Sequence, residues 1–176
     1  MNTELNKDRI FKMALAFMHI TKEPDEFLAE TLEGAYTELL KTADLRHFLT
    51  LSGDDKSTLP GDAIQNHLKN SSAFYYFAAT VGQSADVLIR KTQFSSMSRA
   101  VVIDALAGAM LEDYCDSVCA ALPHTATSRF SPGYGDMPLS FQSTLLSKCS
   151  SAKLGISVLP SGLLIPSKSI TAIIGV

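Results

Sequence analysis

Residues 72–82 read SAFYYFAATVG, and no other stretch restricts the fold of this chain as strongly. Phe74, Tyr75, Tyr76 and Phe77 stand side by side, Thr80 and Val81 follow, and Gly82 closes the run. Aromatic and β-branched residues at this density favour an extended, buried segment, so the run predicts a buried strand. A buried strand needs a sheet around it, and the C-terminal region supplies candidates. SKSITAIIGV (167–176) alternates Ser169 and Thr171 with Ile170, Ala172 and Ile174, the period of a strand with one covered face. Leu154–Leu159 reads as a further strand.

The rest of the chain reads as helix and loop. Residues 3–20 place Leu5, Ile10, Met13, Ala14, Phe17 and Met18 near helical spacing. Pro24 suits the first turn of a second helix, with Asp25 and Glu26 where the helix dipole favours acids. Its apolar stripe is Leu28, Leu32, Ala35, Tyr36 and Leu39. A short helical piece is expected over 42–50, a polar loop over Ser52–Pro60, and a helical turn or two over 62–69. Ser84 is positioned to cap a helix that begins near Ala85, and Ser96 or Ser98 opens a long helix to about Ala121. Ser140 starts a short helix through about Cys149. Helices come first and strands cluster late, without a regular βαβ rhythm. This order predicts an α+β fold, a helical N-terminal layer packed on a mixed, largely antiparallel sheet. The expected organisation is one domain over 1–176, with a helical portion over 1–70 and a sheet-containing, ligand-binding portion over 72–176.

Composition narrows the function classes. A chain of 176 residues is long enough for one substantial core. A net charge of −3 with scattered Lys and Arg argues against a nucleic-acid surface. The polar, mixed-charge start at Met1–Arg9 does not resemble a secretory signal, and Pro160, Pro166 and Lys168 interrupt the apolar C-terminus too often for a bilayer span. No membrane partner and a cytoplasmic location are the resulting expectations. Cys115, Cys119 and Cys149 include no CxxC and have only His124 as a nearby imidazole, so they read as packed thiols with no metal site. On the long helix, Ala105, Gly108 and Ala109 allow another backbone to approach. The same helix carries Glu112, Asp113 and Asp116, and Glu112 and Asp116 lie four apart on one face. The favoured reading of that face is a solvated one, with a ligand's amino group or sulfonium as its alternative occupant.

One short stretch carries chemistry. SRFSPGYGDMP (128–138) sets an arginine beside two prolines, two glycines and a tyrosine. Arg129 offers a planar fork of donors suited to a carboxylate or phosphate. Pro132-Gly133 removes an N–H and permits unusual torsions, so that backbone can come close to a ligand, and Tyr134 adds a flat face and a hydroxyl. No P-loop, dinucleotide fingerprint or nucleophile elbow is present. These residues alone leave two readings open, a small-molecule anion site and a structural turn. A ligand cradle at a permissive φ predicts that Gly133→Ala melts near the wild type while binding weakens.

RFSPGY (129–134), followed downstream by PSKSITAII (166–174), resembles the activation (reactivation) domain of cobalamin-dependent methionine synthase. More closely it is similar to the stand-alone bacterial proteins of that family, in which strings like RFSPGYGD and PSKSVTAIIG recur. The resemblance is strong across 124–176 and extends to the strand at 72, whereas the first seventy residues match only in helical character. It implies S-adenosylmethionine as cofactor. The family's cofactor-binding arginine matches Arg129, and its Gly-Tyr turn matches Gly133-Tyr134. Pro132, Ile174 and Gly175 complete the implied cofactor-binding set, with no catalytic residue. The family's strand tyrosine falls at Ile174 here, and its Tyr-Pro-x-Cys-Pro continuation is Tyr134-Gly135-Asp136-Met137-Pro138. The second departure agrees with the stand-alone branch. The implied reaction is reductive methylation of cobalamin carried by a partner, either methionine synthase subunits or a corrinoid-binding protein, with a reductant such as flavodoxin. Two further readings stay open: a diverged interaction or scaffold protein with the same fold, and an activator of another corrinoid methyltransferase.

Overall fold

A computed structural model describes residues 5–149 and 151–176. Its elements in chain order are α1 (Lys7–Phe17), α2 (Glu26–Thr42), β1 (Arg46–Leu51), α3 (Asp62–His67), β2 (Phe74–Thr80), α4 (Gln83–Gln93) and α5 (Met97–Ala120). After them come α6 (Phe141–Lys148), α7 (Ser151–Leu154), β3 (Ser157–Val158), β4 (Leu164–Ile165) and β5 (Ser169–Gly175). The fold is α+β. Among the described residues every strand pairing is antiparallel, so the sheet has no mixed part. No helix among them is long and apolar enough to cross a membrane.

The chain forms two compact units interleaved in sequence. One runs to Leu45 and resumes over Val81–Val118; the other comprises Arg46–Thr80 and Cys119–Val176. The second unit holds the sheet. The aromatic run becomes β2, the central strand in the order β1-β2-β5. It pairs Phe74 with Gly175 through Thr80 with Ser169 on one side, and Tyr75 with Leu51 through Thr80 with Arg46 on the other. Phe74, Tyr76 and Ala78 turn one face of β2 into a cluster with Ile173 of β5, Ile64 and Leu68, Met137, and Leu145 and Leu146 of α6. Burial, and then the hydrogen bond to Asp54, pushes the Tyr76 phenol up to about 12. Across the α6–β5 contact the buried Thr171 hydroxyl donates to Gln142 Oε1 at 3.0 Å, so neither polar group is left unsatisfied there.

Several expected elements differ. The helical piece over 42–50 is instead the end of α2 followed by β1: Ala43 leaves the helix at ψ 134, and RHFLTL extends along β2. Six residues of ladder outweigh a weak local preference for helix. The helical portion over 1–70 therefore contains a strand, and strands do not gather only late in the chain. Leu154 closes α7, and the strand expected over Leu154–Leu159 shrinks to β3, because the turn bonding Leu159 N to Leu163 O allows only two residues of ladder with β4. The alternation of Ser169 and Thr171 suggested one covered face, but every residue from Thr171 to Gly175 is buried. Short polar side chains such as Thr171 tolerate this when a partner is at hand.

The first unit is helical. In α1, Ile10 and Ala14 are fully buried; residues 3 and 4 of the expected helix lie outside the described residues. Helix α2 starts after Pro24, because the Asp25 carboxylate caps it by accepting from Leu28 N at 2.8 Å. Of its expected stripe, Leu32, Ala35, Tyr36 and Leu39 are buried and Leu28 is half-buried. Ser84 is not the cap of α4: Gly82 holds that position, and the Ser84 hydroxyl donates to the Thr42 carbonyl. Ser96 does cap α5, accepting from Arg99 N at 3.3 Å.

Candidate functional site

The segment after α5 runs along the edge of β5 that β2 leaves open. Phe130 N donates to Ile173 O at 2.9 Å and Ile173 N to Phe130 O at 2.8 Å. Thr127 N donates to Gly175 O at 2.9 Å, while its hydroxyl accepts from Gly175 N at the same distance. An edge strand's unpaired groups need such partners, and residues 127–130 provide them. The two distant strings RFSPGY and PSKSITAII thus become neighbours, with Arg129 fixed beside the bonded Phe130.

From there the chain folds into a tight loop. Tyr134 N bonds Ser131 O at 3.0 Å, Met137 N bonds Tyr134 O at 3.0 Å, and Gly133 N bonds Met137 O at 2.9 Å. Pro132 and Met137 are buried, so they anchor both ends of the tip, while Gly133, Tyr134, Gly135 and Asp136 face solvent. The tip is also tied to α3. Asp136 accepts from Ala63 N at 3.0 Å and Asp62 N at 2.7 Å, and these N–H groups hold its carboxyl below the usual carboxylate range. Gly135 lies so close to α3 that a Cβ there would sit 2.6 Å from Ala63 Cβ. Phe130 forms the floor, its ring 5.1 Å from His67 and 5.8 Å edge-on to Tyr134, while His67 Nε2 meets Ser128 O at 2.9 Å.

Of the residues singled out, Arg129, Pro132, Gly133 and Tyr134 therefore share one internally hydrogen-bonded loop. Arg129 is half-buried with Nη1 shielded from solvent, and Tyr134 is 56% exposed. Gly133 has φ +93°, which removes the permissive conformation expected of it. Gly175 on β5 is bonded to Thr127 at the start of this segment, whereas the Ile174 side chain alternates to the sheet face opposite Ile173, so the structure does not bring it to the loop. Ile174 is fully buried opposite Tyr75, and a Cβ on Gly175 would overlap Ser71 Oγ. An open rim thus stands in front of a closed, packed strand. Such an arrangement can bind and orient a small ligand, with one guanidinium, bare backbone and an aromatic face as its tools.

Of the three acids noted on α5, Glu112 and Asp116 stay partly open on their face, whereas Asp113 is withdrawn from solvent. Asp113 is 1% exposed and accepts from Asn6 N at 2.9 Å; Arg9 pairs with it and also with Asp116. Glu112 is half-buried. Asp113 and Asp116 dock α1 onto α5, a pairing that spacing within α5 alone could not reveal. Gly108 is approached by the ring of Phe17, 3.5 Å from where a Cβ would stand, and not by another backbone. Cys115 and Cys149 are buried, and burial pushes the Cys149 thiol up to about 12. Asp136, His67 and Phe130 were missed as parts of the site. The only sequence signal for them was the proximity of Asp136 and Phe130 to the Pro-Gly-Tyr turn.

No protein-family model and no curated protein sequence matches the chain. Solved structures do match, twelve chains in all. One is the crystal structure of the MetH reactivation domain bound to AdoHcy, with TM-score 0.61 and 13% identity, covering 96% of this chain and 73% of that one. At that identity the likeness is one of fold.

Proposed function

We propose that this protein binds S-adenosylmethionine at the 127–138 loop and acts as the activation component for a cobalamin-dependent methionine synthase or a related corrinoid protein. One observation carries the reading: the two strings that resemble that family lie hydrogen-bonded side by side in the chain, Phe130 to Ile173. The fold likeness to a reactivation domain solved with AdoHcy supports it.

The donor set fits the ligand. The Arg129 fork takes the methionine carboxylate in a bidentate pair, the exposed Gly133 backbone approaches the ligand without a side chain in the way, and Tyr134 offers its ring. Pro132, buried in the loop, and Gly175, bonded to Thr127, hold the rim in place. S-adenosylmethionine supplies an already activated methyl group, so this chain contributes binding and position and needs no general base. Bound S-adenosylmethionine would supply the methyl group and leave as S-adenosylhomocysteine, and a partner's cobalamin, reduced by a separate donor such as flavodoxin, would accept that methyl; the residues of this chain would hold the donor in place. The protein works in the cytoplasm beside methionine synthase subunits or another corrinoid-binding protein, and the whole chain serves as one domain.

Calorimetry with S-adenosylmethionine on the wild type and Arg129→Ala tests the reading. Loss of a charge-assisted bidentate pair costs about 1.5–3 kcal/mol, or roughly 10- to 150-fold in affinity. Equal binding by the two proteins removes Arg129 from the site. The burial of Ile174, where the family's strand carries a tyrosine, favours a second reading, a scaffold that kept the fold and lost the ligand. Absence of any binding by the wild type selects that one.

A further inference from the structure

The first unit exposes an apolar knuckle remote in sequence from the loop. Phe94, at the C-terminal end of α4, is 94% exposed, and Phe27, in the first turn of α2, is 77% exposed. Met97 and Val101, one turn apart on α5, are at least half exposed. Beside Phe27 opens a notch of 270 Å³ walled by Leu28, Thr31, Ser96, Arg99 and Val102, only two residues from Phe94. Arg99 is held in that wall by Glu38 at 3.0 Å. Scattered single hydrophobes are ordinary on a surface, but an open phenylalanine lining a notch, with a second open phenylalanine two residues from its wall, marks a contact surface.

The charges around the knuckle are arranged by sign. Phe94 follows Arg90 and Lys91 by four and three residues, which puts both bases on its side of α4, and both are exposed. Phe27 lies among Asp25, Glu26 and Glu30, all exposed, with Glu30 three residues on along its own helical face. One phenylalanine is thus flanked by bases and the other by acids. A two-fold axis through the patch would lay the basic end of one copy over the acidic end of another, and would bring each Phe94 to the other copy's notch. Self-complementarity of this kind is what an isologous dimer requires.

We propose that this protein forms a two-fold dimer through this surface, Phe94 of each copy seated in the notch beside Phe27 of the other. Arg90 and Lys91 then face the partner's Glu26 and Glu30. The pairing uses no residue of the 127–138 loop, so it stands or falls separately from ligand binding there.

Sedimentation velocity on the full chain, from low micromolar to submillimolar concentration, tests it. The wild type is expected to sediment as a dimer that weakens with salt. Phe94→Ser is expected to raise the dissociation constant about tenfold or more, with circular dichroism checking that it folds. Lys91→Glu and Glu30→Lys should each weaken the dimer, and the double variant should regain most of the loss. A monomer at every concentration overturns the proposal, as does a dimer that Phe94→Ser leaves intact. A monomeric wild type that binds anionic vesicles, with binding lost in Phe94→Ser, would assign the knuckle to a membrane surface and equally overturn it.

Discussion

Gly133→Ala isolates the backbone of the loop from its packing. At Gly133 the chain adopts φ +93°, a conformation that an L side chain resists. Space is not the obstacle, since a Cβ there meets only Leu139 Cδ1, at 3.6 Å, an ordinary contact. The whole cost is therefore conformational. Alanine would gain a few tenths of a kcal/mol by restricting the unfolded chain, and the left-handed torsion more than cancels that, leaving a net loss of about 1–2 kcal/mol. For a chain of this length, that is about 2–8 °C in melting temperature. Two companion variants bracket the effect. Gly135→Ala adds a Cβ 2.6 Å from Ala63 Cβ at φ +55°, so it combines torsion with overpacking and must cost more. Gly53→Ala meets nothing within 4 Å and should be neutral or slightly stabilising. Thermal and urea denaturation of the three, followed by far-ultraviolet circular dichroism, gives the ranking. If Gly133→Ala melts with Gly53→Ala, the left-handed torsion is not required by the fold.

Gly175→Ala should destabilise by about 1–3 kcal/mol in urea titration, because its Cβ would overlap Ser71 and stand 2.7 Å from Leu68 Cδ2 on the packed side of β5. Asp113→Ala leaves Asn6 N–H and Arg9 without their buried acceptor and should cost about 1–3 kcal/mol, whereas Asp116→Ala removes only a half-open pair and should cost under about 1 kcal/mol by the same measurement. Asp136 has a depressed carboxyl pKa when folded, so its stabilisation is complete above the unfolded carboxylate value and is lost as pH falls through the lower folded one. Hydrogen exchange at Asp62 and Ala63 should accordingly accelerate, relative to the global rate, only at acid pH below the ordinary carboxylate range. In Asp136→Ala it should already be fast at neutral pH.

The sequence by itself determined the elements whose cause is local. Phe74–Thr80 is a strand because its own residues leave it no soluble alternative, and α5 is a helix because its apolar residues and Ser96 cap lie within one continuous segment. The Arg129–Tyr134 loop was visible for the same reason, since a proline, a glycine and an arginine announce their properties one residue at a time. Tertiary structure decided whatever needed a distant partner. Residues 46–51 carry no strong preference, and β2 makes them a strand by offering a complete antiparallel ladder. Asp113 looked like one of several surface acids until Asn6 and Arg9, more than a hundred positions away, made it a buried acceptor. Asp136 became the tether of the loop only through amides of α3 some seventy residues earlier. Ile174 and Gly175 were correctly read as strand, but that both faces of β5 would close, leaving the loop alone at the surface, depends on what packs there. Propensity is summed along the chain, whereas burial and hydrogen-bond partners are fixed only when separate segments meet.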